Sequence, residues 1–227
     1  MTKLLGGFDD SMMSINVNNV SFSYGNQEIL NDFSLEIQKP GIYSLFGKSG
    51  CGKTTLINIL SLIQAPTHGE VVLFNQTLDF SNKEKIDEAR KQIAYFFQDL
   101  NLIEALTVRE NLEIISLINH QNIDEERLKR YSEKIGMSKK LDVPVNNLSG
   151  GERQRAAFLK VMIFEYKLIL LDEPTNNLDK ENIEMIMDLL KEIKSDKIIL
   201  IVTHSNYVVG QSDQTFNFNE LNRGIAV

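Results

Sequence analysis

The chain has 227 residues, 42% of them hydrophobic and 24% charged, ordinary values for a globular protein with a sizeable core. A net charge of −7 argues against general nucleic-acid binding, and a single cysteine excludes an internal disulfide framework. No apolar stretch approaches the ~20 residues that span a bilayer, and the N-terminus lacks a secretory pattern, so a cytoplasmic chain that does not itself cross a membrane is expected.

In chain order, residues 1–13 show no period and are expected to lie outside the fold. Met12 and Met13 precede the first strand pattern, so the natural start is open among Met1, Met12 and Met13. Residues 14–227 are expected to form one domain. Segments 15–24, 28–38 and 69–74 alternate like an antiparallel sheet, with Leu30, Phe33, Leu35 and Ile37 as one apolar set broken at Asn31-Asp32. GIYSLF (41–46) reads as a buried strand and TTLINILSLI (54–63) as a helix. A charged stretch (80–92) leads to a short strand (93–97). Residues 107–135 and 151–165 read as helices, Thr107 with Glu110 forming a capping box, within a helical subdomain over about 100–165. The apolar run at 168–171 reads as a parallel strand covered on both faces and KIILIVTH (197–204) as another buried strand, with an amphipathic helix over 180–194 between them. The tail 214–227 leaves room for further strands. There is no internal repeat.

The chemistry sits at the ends of these strands. GKSGCGKT (47–54) fits the phosphate-loop pattern and stands between a strand and a helix, the context it requires. Gly47, Gly50 and Gly52 let the backbone turn tightly, so that the amides of Lys48, Ser49 and Cys51 can face a phosphate at a helix N-terminus. Lys53 would reach the β- and γ-phosphates and the Thr54 hydroxyl would bind Mg²⁺, with Thr55 beside it. LILLDEP (168–174) ends a strand with Asp172, suited to Mg²⁺, and Glu173, suited to polarising an attacking water. His204 ends the next strand and could contact the γ-phosphate. His68, in a turn-like stretch, and His120, at a helix end, carry no such expectation. LSGGERQR (148–155) reads as a helix start with Ser149 as cap and Glu152 three residues on. Two glycines directly after a cap weaken a helix unless something must approach its backbone.

These motifs, in this order over residues 15 to about 205, resemble the nucleotide-binding subunit of ATP-binding cassette (ABC) transporters. LSGGE is the family's signature. The resemblance implies an α/β fold: a phosphate-loop core with a parallel sheet, an antiparallel β subdomain and an inserted helical subdomain. It implies that Tyr24 in FSYG stacks on adenine and that Gln98 in YFFQD approaches Mg²⁺ and senses the transporter. It implies that Ser149, Gly150, Gly151 and Glu152 bind the ATP of a partner subunit, and that Asp179, ending TNNLD, belongs to the loop linking two sites. FQDLNLIEALTVRENLE and DEPTNNLD resemble the lipoprotein-release and macrolide-export branch, which often has Gly where Asn176 stands. Cys51 replaces the commoner Ser.

The implied function is Mg²⁺-dependent ATP hydrolysis in a head-to-tail homodimer, driving a transporter through a separate integral membrane permease at the inner face of the cell membrane. Leu100, Leu102 and Ile103 are the expected apolar contacts for that permease. The alternative is an ABC ATPase with a non-transport role, in regulating cell-wall hydrolysis at division or in iron–sulfur cluster assembly. Substrate, direction of transport and the partner's identity lie in other polypeptides.

Overall fold

A computed structural model describes residues 13–97, 99–176 and 178–222. Its strands are β1 (Ile15–Tyr24), β2 (Gln27–Ile37), β3 (Gly41–Phe46), β4 (His68–Leu73), β5 (Gln76–Thr77), β6 (Ile93–Phe96), β7 (Leu168–Asp172), β8 (Ile198–Thr203) and β9 (Gln214–Asn217). Its helices are α1 (Lys53–Leu60), α2 (Lys83–Arg90), α3 (Val108–Asn119), α4 (Glu125–Lys134), α5 (Gly150–Met162), α6 (Lys180–Ile193), α7 (Asn206–Gln211) and α8 (Phe218–Leu221). They form an antiparallel sheet ordered β2-β1-β4-β5 and a parallel sheet ordered β6-β7-β8-β3-β9.

The parallel sheet follows from its sequence. Ile198 to Val202 and Leu168 to Leu171 are apolar without alternation because both faces are covered. Ile169, Leu171, Ile199 and Ile201 face one buried cluster, shared with α3–α6. Leu168, Leu170, Leu200 and Val202 face the other, shared with α1 and the antiparallel sheet. The period of two along each strand thus divides the core between two layers.

The helical block is started by side-chain caps. Thr107 accepts from Glu110 N and the Glu110 carboxylate accepts from Thr107 N, 2.7 Å, closing the expected capping box. Those hydrogen bonds hold the Glu110 carboxyl below its ordinary range. Asp124 caps α4. Phe96 and Phe158, centroids 4.5 Å apart, pack α5 onto β6.

Several expectations need correction. Met13 is 6% exposed and packs into the core, so the ordered fold begins at least one residue earlier than read; residues 1–12 lie outside the described residues. The helix read to residue 63 stops at Leu60, because Leu62 turns left-handed at φ 63°. The stretch 107–135 is two helices, broken where His120 adopts φ 54°. His68 is not in a turn; it opens β4 opposite Ser21. The tail adds one strand, β9, and then the short helix α8, while residues 223–227 lie outside the described residues. Leu100 and Leu102 pack against the core, so of the three expected permease contacts only Ile103 is exposed.

One glycine carries a stability prediction. Gly69 sits at φ 88°, where a Cβ would lie 2.4 Å from Asn19 O and 2.6 Å from Val20 Cα. Both atoms are backbone of β1, next to the irregularity between Val17 and Val20, and cannot swing aside. Gly69→Ala is expected to destabilise the chain by about 3 kcal/mol, read as a lowered urea midpoint at unchanged slope.

Candidate functional site

Strands β7, β8 and β3 are neighbours and run parallel, with Asp172 opposite Val202 and Phe46 opposite Thr203. Three segments therefore emerge side by side at their carboxyl ends: the loop 47–52 after β3, Asp172-Glu173 after β7, and His204 after β8. They enclose a cleft of about 330 Å³ lined by Ser49, Gly50, Gly52, Lys53, Thr54, Thr55, Asp172, Glu173, Asn176 and His204.

The loop is a phosphate cradle in shape. Gly52 caps α1 at φ 111°, and its carbonyl receives Leu56 N at 3.0 Å, so α1 points its N-terminus into the cleft. Lys53 is 6% exposed, and its ammonium folds back onto the loop, donating to Gly47 O at 2.8 Å and Lys48 O at 2.7 Å, with Cys51 Sγ 3.8 Å away. The loop is packed from beneath by α8: a Cβ on Gly47 would meet Phe218 Cβ at 3.0 Å. Asn222, just after α8, donates to Ile29 O and accepts from Asn31 N, tying the tail to β2.

The acidic half holds two pairs. Thr54 donates its hydroxyl to Asp172 Oδ2 at 2.9 Å. Burial pushes the Asp172 carboxyl up, the Thr54 hydrogen bond and Lys53 opposing and Glu173 adding to the rise. Glu173 Oε1 lies 2.9 Å from His204 Nδ1, while Glu173 Oε2 is buried with no hydrogen-bond partner among the described residues. Glu173 also sits at φ 48°, a left-handed conformation that a non-glycine residue adopts at a cost of about 1–3 kcal/mol. A buried acceptor without a donor among the described residues, on a left-handed backbone beside the cleft, calls for a partner.

The residues fit a magnesium ion only in part. Thr54 and Asp172 offer two hard oxygens side by side, while among the described residues no group of three or more His, Cys, Asp or Glu could enclose a metal. That suits a cation which takes one carboxylate from the protein and completes its shell with phosphate oxygens and water.

The remaining expected residues fall elsewhere. Tyr24 is 51% exposed at the hairpin tip, edge-on to Phe22 and donating to Gln64 Oε1 at 3.1 Å; it lines neither this cleft nor its neighbour. That neighbouring cleft, about 260 Å³, shares Ser49 and Gly50 with the first and is also lined by Gln27, Glu28, Lys48, Cys51, Asn219 and Asn222. Ile29 lines both clefts and was missed; an apolar residue in an alternating strand carries no separate signal. Gln98 lies outside the described residues. Asp179 caps α6 by accepting from Asn182 N at 2.9 Å. Ser149 and Glu152 form the expected capping box, which also holds the Glu152 carboxyl low. Gly150 and Gly151 are not among the positive-φ glycines, and a Cβ on either would meet nothing closer than Arg155 Nη1 at 3.5 Å. Nothing in their own fold demands glycine there. None of Ser149, Gly150, Gly151, Glu152 or Asp179 lines either cleft.

Comparison with known proteins agrees with this geometry. Residues 30–176 match the family described as "ABC transporter". The "Lipoprotein-releasing system ATP-binding protein LolD" of Buchnera aphidicola subsp. Schizaphis graminum is 37% identical over 191 residues, covering 81% of this chain and 83% of that protein. The "Phosphonates import ATP-binding protein PhnC" of Fusobacterium nucleatum subsp. nucleatum is 33% identical over 204 residues, covering 84% and 82%. Among solved structures, the dimeric post-hydrolysis state of the ATP-binding cassette MJ0796 bound to ADP and Pi superposes with a TM-score of 0.80 at 30% identity, covering 90% of this chain and 94% of that one. With a phosphate loop, an acidic strand end and a fold shared at this level, the chain belongs to the ABC transporter family as one of its ATPase cassettes.

Proposed function

We propose that the chain hydrolyses ATP with Mg²⁺ in a head-to-tail dimer and passes the resulting motion to a separate membrane permease. The observation that carries this reading is the convergence, in one cleft, of the Lys53 loop, the Thr54–Asp172 pair and the Glu173–His204 pair. Lys53 and the amides of Lys48, Ser49, Gly50, Cys51 and Gly52 bind the phosphates, with Thr55 lining the same wall. Thr54, Asp172 and Gln98 hold the Mg²⁺, which when bound neutralises charge on the phosphates. Glu173 takes the proton of the attacking water on its free Oε2, while His204 holds Oε1 and steadies the γ-phosphate. Tyr24 stacks on the base.

Ser149, Gly150, Gly151 and Glu152 serve the site of the second copy, and Asp179 lies where the two copies meet. Two features support this. The signature glycines have no intrachain reason to be glycine, and the signature lies away from both clefts of its own chain. Two chains related by a two-fold axis would give two complete sites.

Among the described residues no helix is long and apolar enough to cross a membrane. In this reading a separate permease supplies the path across the membrane. Ile103, Leu117 and Ile118 are exposed apolar residues on the 100–165 block that can meet it. Isolation of the chain from membranes in mild detergent is expected to bring an integral membrane protein with it. A chain that repeatedly emerges alone would favour the non-transport alternative.

Cys51 offers an independent check of the loop. Its half-buried thiol lines the smaller cleft beside Lys53. A bulky thiol reagent is expected to abolish ATP binding, bound Mg-ATP to protect, and Cys51→Ser to bind ATP and resist the reagent. Nucleotide binding measured before and after modification decides.

A further inference from the structure

We infer that Lys160 is a positioning residue that locks the loop following Gln98 to α5, the helix that begins at the signature. Lys160 lies on α5, three turns beyond Ser149. Its ammonium donates to Leu100 O at 2.8 Å and to Asn101 O at 2.7 Å, across 60 and 59 residues of chain. Leu100 and Asn101 are consecutive left-handed residues, at φ 58° and 44°. Locally the turn has two backbone hydrogen bonds, from Leu100 N to Phe97 O at 3.1 Å and from Asn101 N to Asp99 O at 2.7 Å. A leucine side chain adds none of its own, so a contact from outside the loop helps to maintain this conformation. The kink turns two successive carbonyls toward one cation. Among the described residues no carboxylate pairs with that cation. Burial pushes the Lys160 ammonium down to about 8.

The loop's other end is fixed separately. Buried Asn111, on α3, accepts from Ile103 N at 2.7 Å and donates to Ile103 O and Thr107 O. Lys160 thus holds the upstream half, nearest Gln98, and Asn111 the downstream half. Resting on the proposed function, this gives Lys160 a specific place. It joins the loop proposed to serve a chain's own Mg²⁺ to the helix proposed to serve the partner's ATP. Lys160 lines neither cleft, so it acts through these segments rather than on the reacting atoms. Without it, both carbonyls would lose this donor and the left-handed pair would relax.

The chain contains no tryptophan, so Glu104→Trp, at an exposed loop position, provides a single indole as reporter. In that background Lys160→Met, which keeps the aliphatic stem, is expected to lower the indole's anisotropy. It should also reduce kcat about tenfold while KM for ATP changes less than about twofold. Lys160→Arg is expected to restore both readouts, because it keeps a cation with several donors. Should Lys160→Met fail to fold, Lys160→Gln replaces it on the same readouts. Unchanged anisotropy and kcat in the neutral variant, or an arginine variant no better than the neutral one, overturns the inference. Failure of the parent reporter chain to bind ATP would instead defeat the proposed function, and the anisotropy comparison would still decide for Lys160.

Discussion

Glu173→Gln is expected to bind ATP with native affinity and to hydrolyse it about 10²-fold more slowly, or slower still. The substitution keeps the size and planarity of the side chain, so the contact with His204 Nδ1, at 2.9 Å, has a replacement partner in the amide oxygen. What is lost is the carboxylate's capacity to take a proton on Oε2, the oxygen of the pair that has no hydrogen-bond partner among the described residues. Glu173 binds no part of the loop, so nucleotide affinity should not follow the rate. Steady-state phosphate release alongside equilibrium ATP binding separates the two quantities. Hydrolysis at the native rate would remove Glu173 from the base role, and a parallel loss of binding would make it a ligand-holding residue.

Lys53→Ala is expected to weaken ATP binding about 10²-fold, with hydrolysis lost at ordinary nucleotide concentrations. In this structure the ammonium is spent on Gly47 O and Lys48 O, two acceptors that hold the loop closed on itself. Phosphate oxygens offer a fully charged alternative to these carbonyls, and charge-assisted hydrogen bonds are roughly twice as strong as neutral ones. The variant loses that exchange and leaves both carbonyls without their donor, so the loop should loosen as well. Titration calorimetry with Mg-ATP reads the affinity; native affinity in the variant would mean that the loop amides alone hold the phosphates.

Much of this molecule was legible from local pattern. GIYSLF, the apolar runs ending at Asp172 and His204, and both capping boxes depend on residues a few positions apart, and the structure forms each of them. Parallel pairing then brought the three motif segments together, as strand ends in an open α/β sheet require. What the sequence hid depends on distant contacts. The packing of α8 under the phosphate loop rests on Phe218 and on Asn222 reaching Asn31, 191 residues away. The left-handed residues Leu62 and Leu100 carry no propensity for that conformation, so their residue types do not announce the turns they make. Leu100 and Leu102 looked like surface anchors in an irregular stretch, yet the block folds them inward. Lys53 reads from its motif as a phosphate ligand, and nothing local says that it holds its own loop in this state.

The shared site is tested most directly by the mass of the Glu173→Gln chain in light scattering at high protein concentration, with and without Mg-ATP. With hydrolysis blocked, ATP should carry the chain from the mass of one copy to that of two, and Ser149→Arg, added to it, should keep ATP binding while holding the mass at one. A Glu173→Gln chain that binds ATP yet remains at the mass of one copy would contradict a site completed across two subunits.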